Sequence, residues 1–127
     1  MVIRRDAIVI PAEEGDDMAE IAIVGTLAAK PGRRDAVLAA LLRHRERCVR
    51  TEPGLLSFDI LVSREDEQSL LLYELYANQS AVSAHLAGPS LVELRAEIAA
   101  DLAGLSGIQC LLATSRKEDY ASSAVQG

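Results

Sequence analysis

The chain has 127 residues, half of them hydrophobic and a quarter charged, which amounts to one globular domain rather than a disordered chain. Thirteen Lys and Arg against nineteen Asp and Glu leave a net charge of −6, which argues against nucleic acid as a partner, because phosphate recognition needs clustered positive charge. No run approaches the roughly 18 apolar residues of a membrane span and the start lacks a signal-peptide core, so a soluble, cytoplasmic protein without a membrane partner is expected.

Residues 1–19 read as an arm or linker. Ala7 to Ile10 suits an extra edge strand or a mobile arm, and Pro11 to Asp17 is acidic. Residues 20–29, with Ile21, Ile23 and Val24, predict a strand that Lys30-Pro31-Gly32 breaks. From Arg33 to Arg50, Val37, Leu38, Leu41, Leu42, Cys48 and Val49 recur at spacings that predict one apolar stripe of a helix. Glu52-Pro53-Gly54 stops it. The basic residues between Arg43 and Arg50 read as a solvated helix face, and His44, set among them, is expected to look at solvent.

Residues 55–63 alternate, placing Leu56, Phe58, Ile60 and Val62 on one face and Leu55, Ser57, Asp59 and Leu61 on the other. A charged turn leads to a second strand over 68–77, so the two predict a hairpin. A short helix fits 80–87. Ser90-Leu91-Val92-Glu93 then has capping-box form, with Ser90 as N-cap, and Leu91, Leu94, Ile98 and Leu102 continue a further helix. Gly104 and Gly107 flank its exit, Ile108 to Thr114 supplies a last strand, and 115–127 is a polar tail.

This βαββαβ order, with a broken second helix, predicts an α+β ferredoxin-like domain over residues 20–114 in which helices cover one side of a four-stranded antiparallel sheet. Both parities of the strands are apolar. Leu56, Phe58, Ile60, Leu71 and Leu75 group on one face, and Leu55, Leu61, Leu70, Leu72 and Leu111 on the other. Each leucine left in water forfeits about 1.5–3 kcal/mol of burial, so a homodimer packed sheet against sheet is expected. Cys48 and Cys110 lack paired spacing and read as buried free thiols; neither a metal nor a disulfide is expected.

Three segments carry a family likeness: EPGLLSFDIL at 52–61, LYELY at 72–76 and AVSAHLAGPS at 81–90. Together they resemble the antibiotic biosynthesis monooxygenase domain, over roughly residues 20–114. The resemblance implies a dimeric α+β barrel with a small pocket between sheet and helices in each subunit. Its members include cofactor-independent quinol and anthrone oxygenases, haem-degrading enzymes and an isomerase of a phosphorylated signalling molecule, so the fold does not choose the reaction.

His85 matches the family's Ala-His position. On a half-buried helix edge its imidazole suits removal of a phenolic proton, and the alternative is a rim histidine bonding a carbonyl or the other subunit. Glu74, inside an apolar strand, must find a partner or shift its pKa. It suits orienting His85 or bonding a substrate hydroxyl, and equally a salt bridge to Arg95. Strand parity puts Leu72, Glu74 and Tyr76 on one face without saying which face meets the helices. Leu72, Tyr76 and Phe58 are the expected substrate contacts, with core packing as the alternative for Tyr76. Ser90 stands where many members have a second histidine. Haem is disfavoured because the chain has no Trp and its first strand no Asn.

Two function classes follow. One is a monooxygenase of a small hydroxylated aromatic that uses O₂ without metal, flavin or other cofactor; an isomerase with the same base would read alike. The other is a non-catalytic domain that binds a small hydrophobic ligand, which the 3% aromatic content and the single pocket histidine favour.

Overall fold

The chain turns where proline interrupts it. After strand β1 (Ile21–Ala29), Pro31 and Gly32, the latter at φ 77°, lead into helix α1 (Arg34–Thr51). Pro53 and Gly54 separate α1 from the hairpin of β2 (Leu55–Val62) and β3 (Ser69–Tyr76). Helices α2 (Gln79–Ala87) and α3 (Pro89–Ile98) follow, and β4 (Leu102–Leu111) closes the sheet. A computed structural model describes residues 18–114; the apolar stretch at 7–10, the acidic segment after it and the 115–127 tail lie outside them. The strands are all antiparallel in the order β2-β3-β1-β4, so the fold is the expected α+β ferredoxin-like one. No helix among the described residues is long and apolar enough to cross a membrane.

The stripe of α1 differs from the expected one. Its buried residues are Val37, Ala40, Leu41, His44 and Cys48, while Leu42 and Val49 are about half exposed. His44 is seven residues from Val37 and four from Cys48, in phase with the core, and is 1% exposed rather than solvent-facing. The basic residues beside it are engaged. Arg47 and Arg43 pair with Glu93 and Glu97 of α3, and Arg45 Nε donates to the Phe58 carbonyl at 2.7 Å.

A register shift between Leu55 and Ser57 changes the reading of β2. Leu55 lies opposite Tyr76 and Ser57 opposite Leu75, which leaves Leu56 as the extra residue of a bulge. Phe58 and Ile60 then face Glu74 and Leu72, on the helix-covered side, not the side of Leu71 and Leu75 where parity grouped them. The core joins Leu27, Leu41, Cys48, Phe58, Leu70 and Leu94 between sheet and helices. On the opposite side Val24, Leu61, Leu71 and Ile108 are between about 36% and 63% exposed, an uncovered apolar face.

At the last strand the expected boundary moves. Leu102, Gly104 and Gly107 belong to β4, because the ladder to β1 runs from Leu102↔Ala29 to Leu111↔Ile21 and backbone pairing does not need side chains. Cys110 is exposed on this edge strand, so only Cys48 is a buried thiol. Ser90 is no N-cap either. Gly88 caps α3 with Pro89 as first helical residue, a position where the missing N–H costs nothing. Asn78 does cap α2, its side-chain oxygen accepting from Ala81 N–H at 2.9 Å. Asn78→Ala is expected to cost about 1 kcal/mol in urea-unfolding equilibria.

Close packing at one glycine aligns the site. A Cβ built on Gly54 would stand 2.5 Å from the Ala81 Cβ, so only glycine lets the turn after α1 touch the first turn of α2. The Gly54 carbonyl accepts from Ala77 N–H at 2.9 Å, which ties the same turn to the end of β3. Glu52, two residues before Gly54, is thereby brought beside His85, four residues after Ala81.

Candidate functional site

An apolar cavity of about 200 Å³ lies between the sheet and the three helices. Leu27, Leu72 and Leu105 line it from the sheet, and Leu86, Leu91, Leu94 and Ile98 from α2 and α3. Five polar side chains also reach the wall or mouth: His44, Glu74, His85, Arg95 and Ser106. Larger hollows, of about 400 Å³ at Pro31–Asp35 and about 540 Å³ beside the Pro53–Gly54 turn, have no buried histidine in their walls. The small cavity is the candidate site because buried titratable groups converge there.

His85, 3% exposed, is held from two sides. Its Nδ1 lies 2.9 Å from one Glu52 carboxylate oxygen and 3.2 Å from the other, and its Nε2 lies 3.6 Å from Glu74 Oε1. Glu74 in turn accepts a hydrogen bond of 2.7 Å from the Tyr76 hydroxyl. Burial raises the Glu74 carboxyl above its ordinary range, against the pull of that hydrogen bond and of His85. The Tyr76 hydroxyl is raised too, by its own burial and then by the Glu74 charge.

Beyond His85 stand two further buried groups. Cys48 Sγ is 3.6 Å from His44 Nε2 and 3.9 Å from His85 Nδ1. His44 Nδ1 is 3.2 Å from the Ser90 carbonyl oxygen, the geometry of an N–H donor to that oxygen. Burial, with the neighbouring His85 and Arg47, lowers the His44 pKa to about 4, so the ring is neutral at pH 7. Burial and the Glu52 charge push the Cys48 thiol up to about 12, which makes it a poor nucleophile as it stands.

Of the expected site residues, His85, Glu74 and Tyr76 come together, and Leu72 lies on the cavity wall. Glu74 is engaged by Tyr76 and His85 rather than by Arg95. Phe58 and Tyr76 stand behind the wall. The Phe58 ring meets His44 edge-on at 5.7 Å, and the Tyr76 ring lies 5.4 Å from His85. Glu52, His44 and Cys48 escaped the sequence reading as site residues. The signals were present in the helical phase of His44 and Cys48 and in the carboxylate that opens EPG.

A model of one family, antibiotic biosynthesis monooxygenase, matches residues 20–97. The chain belongs to the antibiotic biosynthesis monooxygenase family. Its fold recurs in solved structures at low sequence identity. A Caulobacter crescentus protein, provisionally designated an antibiotic biosynthesis monooxygenase, superposes with TM-score 0.69 at 22% identity, over 79% of this chain and 93% of that one. A Pseudomonas aeruginosa protein gives TM-score 0.70 at 19% identity, over 77% and 98%. One from Shewanella oneidensis gives 0.69 at 19%, over 75% and 92%. No curated protein matches the sequence. The three likenesses bear on the fold; within the family, the chemistry has to be argued from the cavity.

Proposed function

We propose that this member of the family is a cytoplasmic monooxygenase of small hydroxylated aromatics, of quinol or anthrone type, acting with O₂ and without metal or flavin. The observation that carries it is the bond between His85 Nδ1 and Glu52. A carboxylate accepting the Nδ1 proton fixes the tautomer and leaves Nε2 as the basic nitrogen, next to Glu74 on the cavity wall. His85 is therefore the base and Glu52 its orienting partner. When Nε2 takes a proton, the imidazolium sits between two carboxylates.

The base removes a proton from the hydroxylated ring system, and the resulting anion passes one electron to O₂. Recombination gives a peroxide, whose loss of water leaves a carbonyl. For an anthrone-type methylene the balance is R₂CH₂ + O₂ → R₂C=O + H₂O: one oxygen atom enters the product, the other leaves as water, and the substrate supplies all four electrons. Leu72 and the apolar wall hold the ring and exclude water from the radical pair, with Tyr76 and Phe58 backing the polar groups. The working form in this proposal is a homodimer, which buries Val24, Leu61, Leu71 and Ile108 of the uncovered face.

The test is oxygen uptake by the pure, chelator-treated protein with a naphthohydroquinone and with anthrone. Consumption of O₂ in step with formation of hydroxynaphthoquinone or anthraquinone, faster than without protein and without release of H₂O₂, is expected. A ligand retained unchanged with no O₂ consumed would make the chain a binding module instead.

A further inference from the structure

We propose that His44, Cys48 and His85 form a buried zinc-class cation site, with the Glu52 carboxylate as fourth ligand. The donor atoms of the three residues all lie within 4.8 Å of one another. A tetrahedral zinc with bonds of about 2.3 Å to sulfur and about 2.0–2.1 Å to nitrogen has sulfur-to-nitrogen edges of about 3.6 Å. The observed separations are 3.6 Å from Cys48 Sγ to His44 Nε2 and 3.9 Å to His85 Nδ1. Both sulfur edges are near coordination length, and the two imidazole nitrogens, within 4.8 Å of each other, have to close to about 3.3 Å.

The surroundings of both rings match what metal-binding histidines require. His44 can donate through Nδ1 to the Ser90 carbonyl, which leaves Nε2 as the lone pair beside the sulfur. His85 presents Nδ1 to the cluster and turns Nε2 toward Glu74, itself held by the Tyr76 hydroxyl. Glu52 already lies 2.9 Å from the His85 nitrogen that would bind, so one carboxylate swing places its oxygen on the ion. One thiolate and one carboxylate neutralise a divalent ion, so the complex carries no net charge into a buried setting. Sulfur and imidazole donors select zinc-class ions over magnesium and calcium, which demand oxygen. Helix α1 supplies His44 and Cys48 four residues apart on one face, and α2 supplies His85.

This inference goes beyond the oxygenase reading, and its readout is binding, so either can fail alone. The bound ion occupies the His85 nitrogen that Glu52 otherwise holds and leaves the ring proton on Nε2, toward Glu74, so the loaded form has no free base at His85 and the oxygenase reading belongs to the metal-free form. The probe is Co²⁺ added to full-length Cys110→Ser protein, in which Cys48 is the single thiol. One equivalent is expected to give a thiolate-to-cobalt charge-transfer band and tetrahedral ligand-field bands, both erased by one equivalent of Zn²⁺. A thermal midpoint that rises with Zn²⁺ and an intensity at least ten-fold weaker in His44→Gln complete the expectation. A Cys110→Ser protein that folds and shows no thiolate-to-cobalt band, or only the weak spectrum of octahedral cobalt, overturns it.

Discussion

His85→Gln is expected to lower quinol or anthrone oxygenation about 10²- to 10⁴-fold, the range a positioned general base contributes. Glutamine is close to histidine in reach and can still donate an amide hydrogen to Glu52, which lies 2.9 Å from the native Nδ1. What it lacks is the basic lone pair of Nε2, so kcat should fall while substrate affinity and thermal stability change little. Wild-type turnover in the variant would reduce His85 to a packing residue and would pass the role of base to the Glu74 carboxylate on the cavity wall, since His44 is held neutral and turned toward Cys48 and Ser90.

The second large effect is on stability. His44 is buried and neutral, with a folded-state pKa of about 4 against about 6.5 in the unfolded chain. Between those values the unfolded state binds more protons than the folded one. Stability contributed by the neutral ring is therefore complete above pH 6.5 and is lost as pH falls toward 4. From pH 7.5 to pH 5 the loss attributable to His44 is about 2 kcal/mol in the metal-free protein. Glu74 acts with the opposite sign, because a carboxyl raised by burial favours the folded state as it becomes protonated. The His44→Leu variant separates the two. Its stability difference between pH 7.5 and pH 5, from urea unfolding in chelator, should shrink by about 2 kcal/mol relative to the native protein. An unchanged difference would show that His44 does not titrate in this way.

Element order was legible because proline and glycine punctuate the chain at Pro31, Pro53 and Pro89, and because period-two and three-to-four spacings differ clearly in between. Faces were less legible. Parity in β2 fails at Leu56, where a bulge inserts one residue, and nothing in Leu55-Leu56-Ser57 announces it. His44 was misplaced for a different reason. Its arginine and glutamate neighbours are polar, but neighbours in sequence point elsewhere around a helix, and the phase set by Val37 and Cys48 decides. His85 and Glu74 were found from the family motifs, and their separation of 3.6 Å bears out only that they meet. Glu52 was passed over because a carboxylate before Pro-Gly is read first as a helix end, and its partner is 33 residues away. β4 was cut short because glycine counts against a strand locally, while the pairing of Gly107 with Gly25 is decided by the neighbouring strand.

The contact between Gly54 and Ala81 has a consequence for how this scaffold can diversify. Most positions around an apolar cavity can exchange leucine for another hydrophobe, reshaping the space and leaving the reactive groups where they are. Position 54 is different, because any side chain there would prise the α1–β2 turn from α2 and draw Glu52 away from His85 together with it. Folding and the pairing of Glu52 with His85 thus depend on the close approach of one glycine and one alanine. Drift in ligand preference has open routes through Leu72, Leu86 and Leu105, whereas drift through the turn is closed.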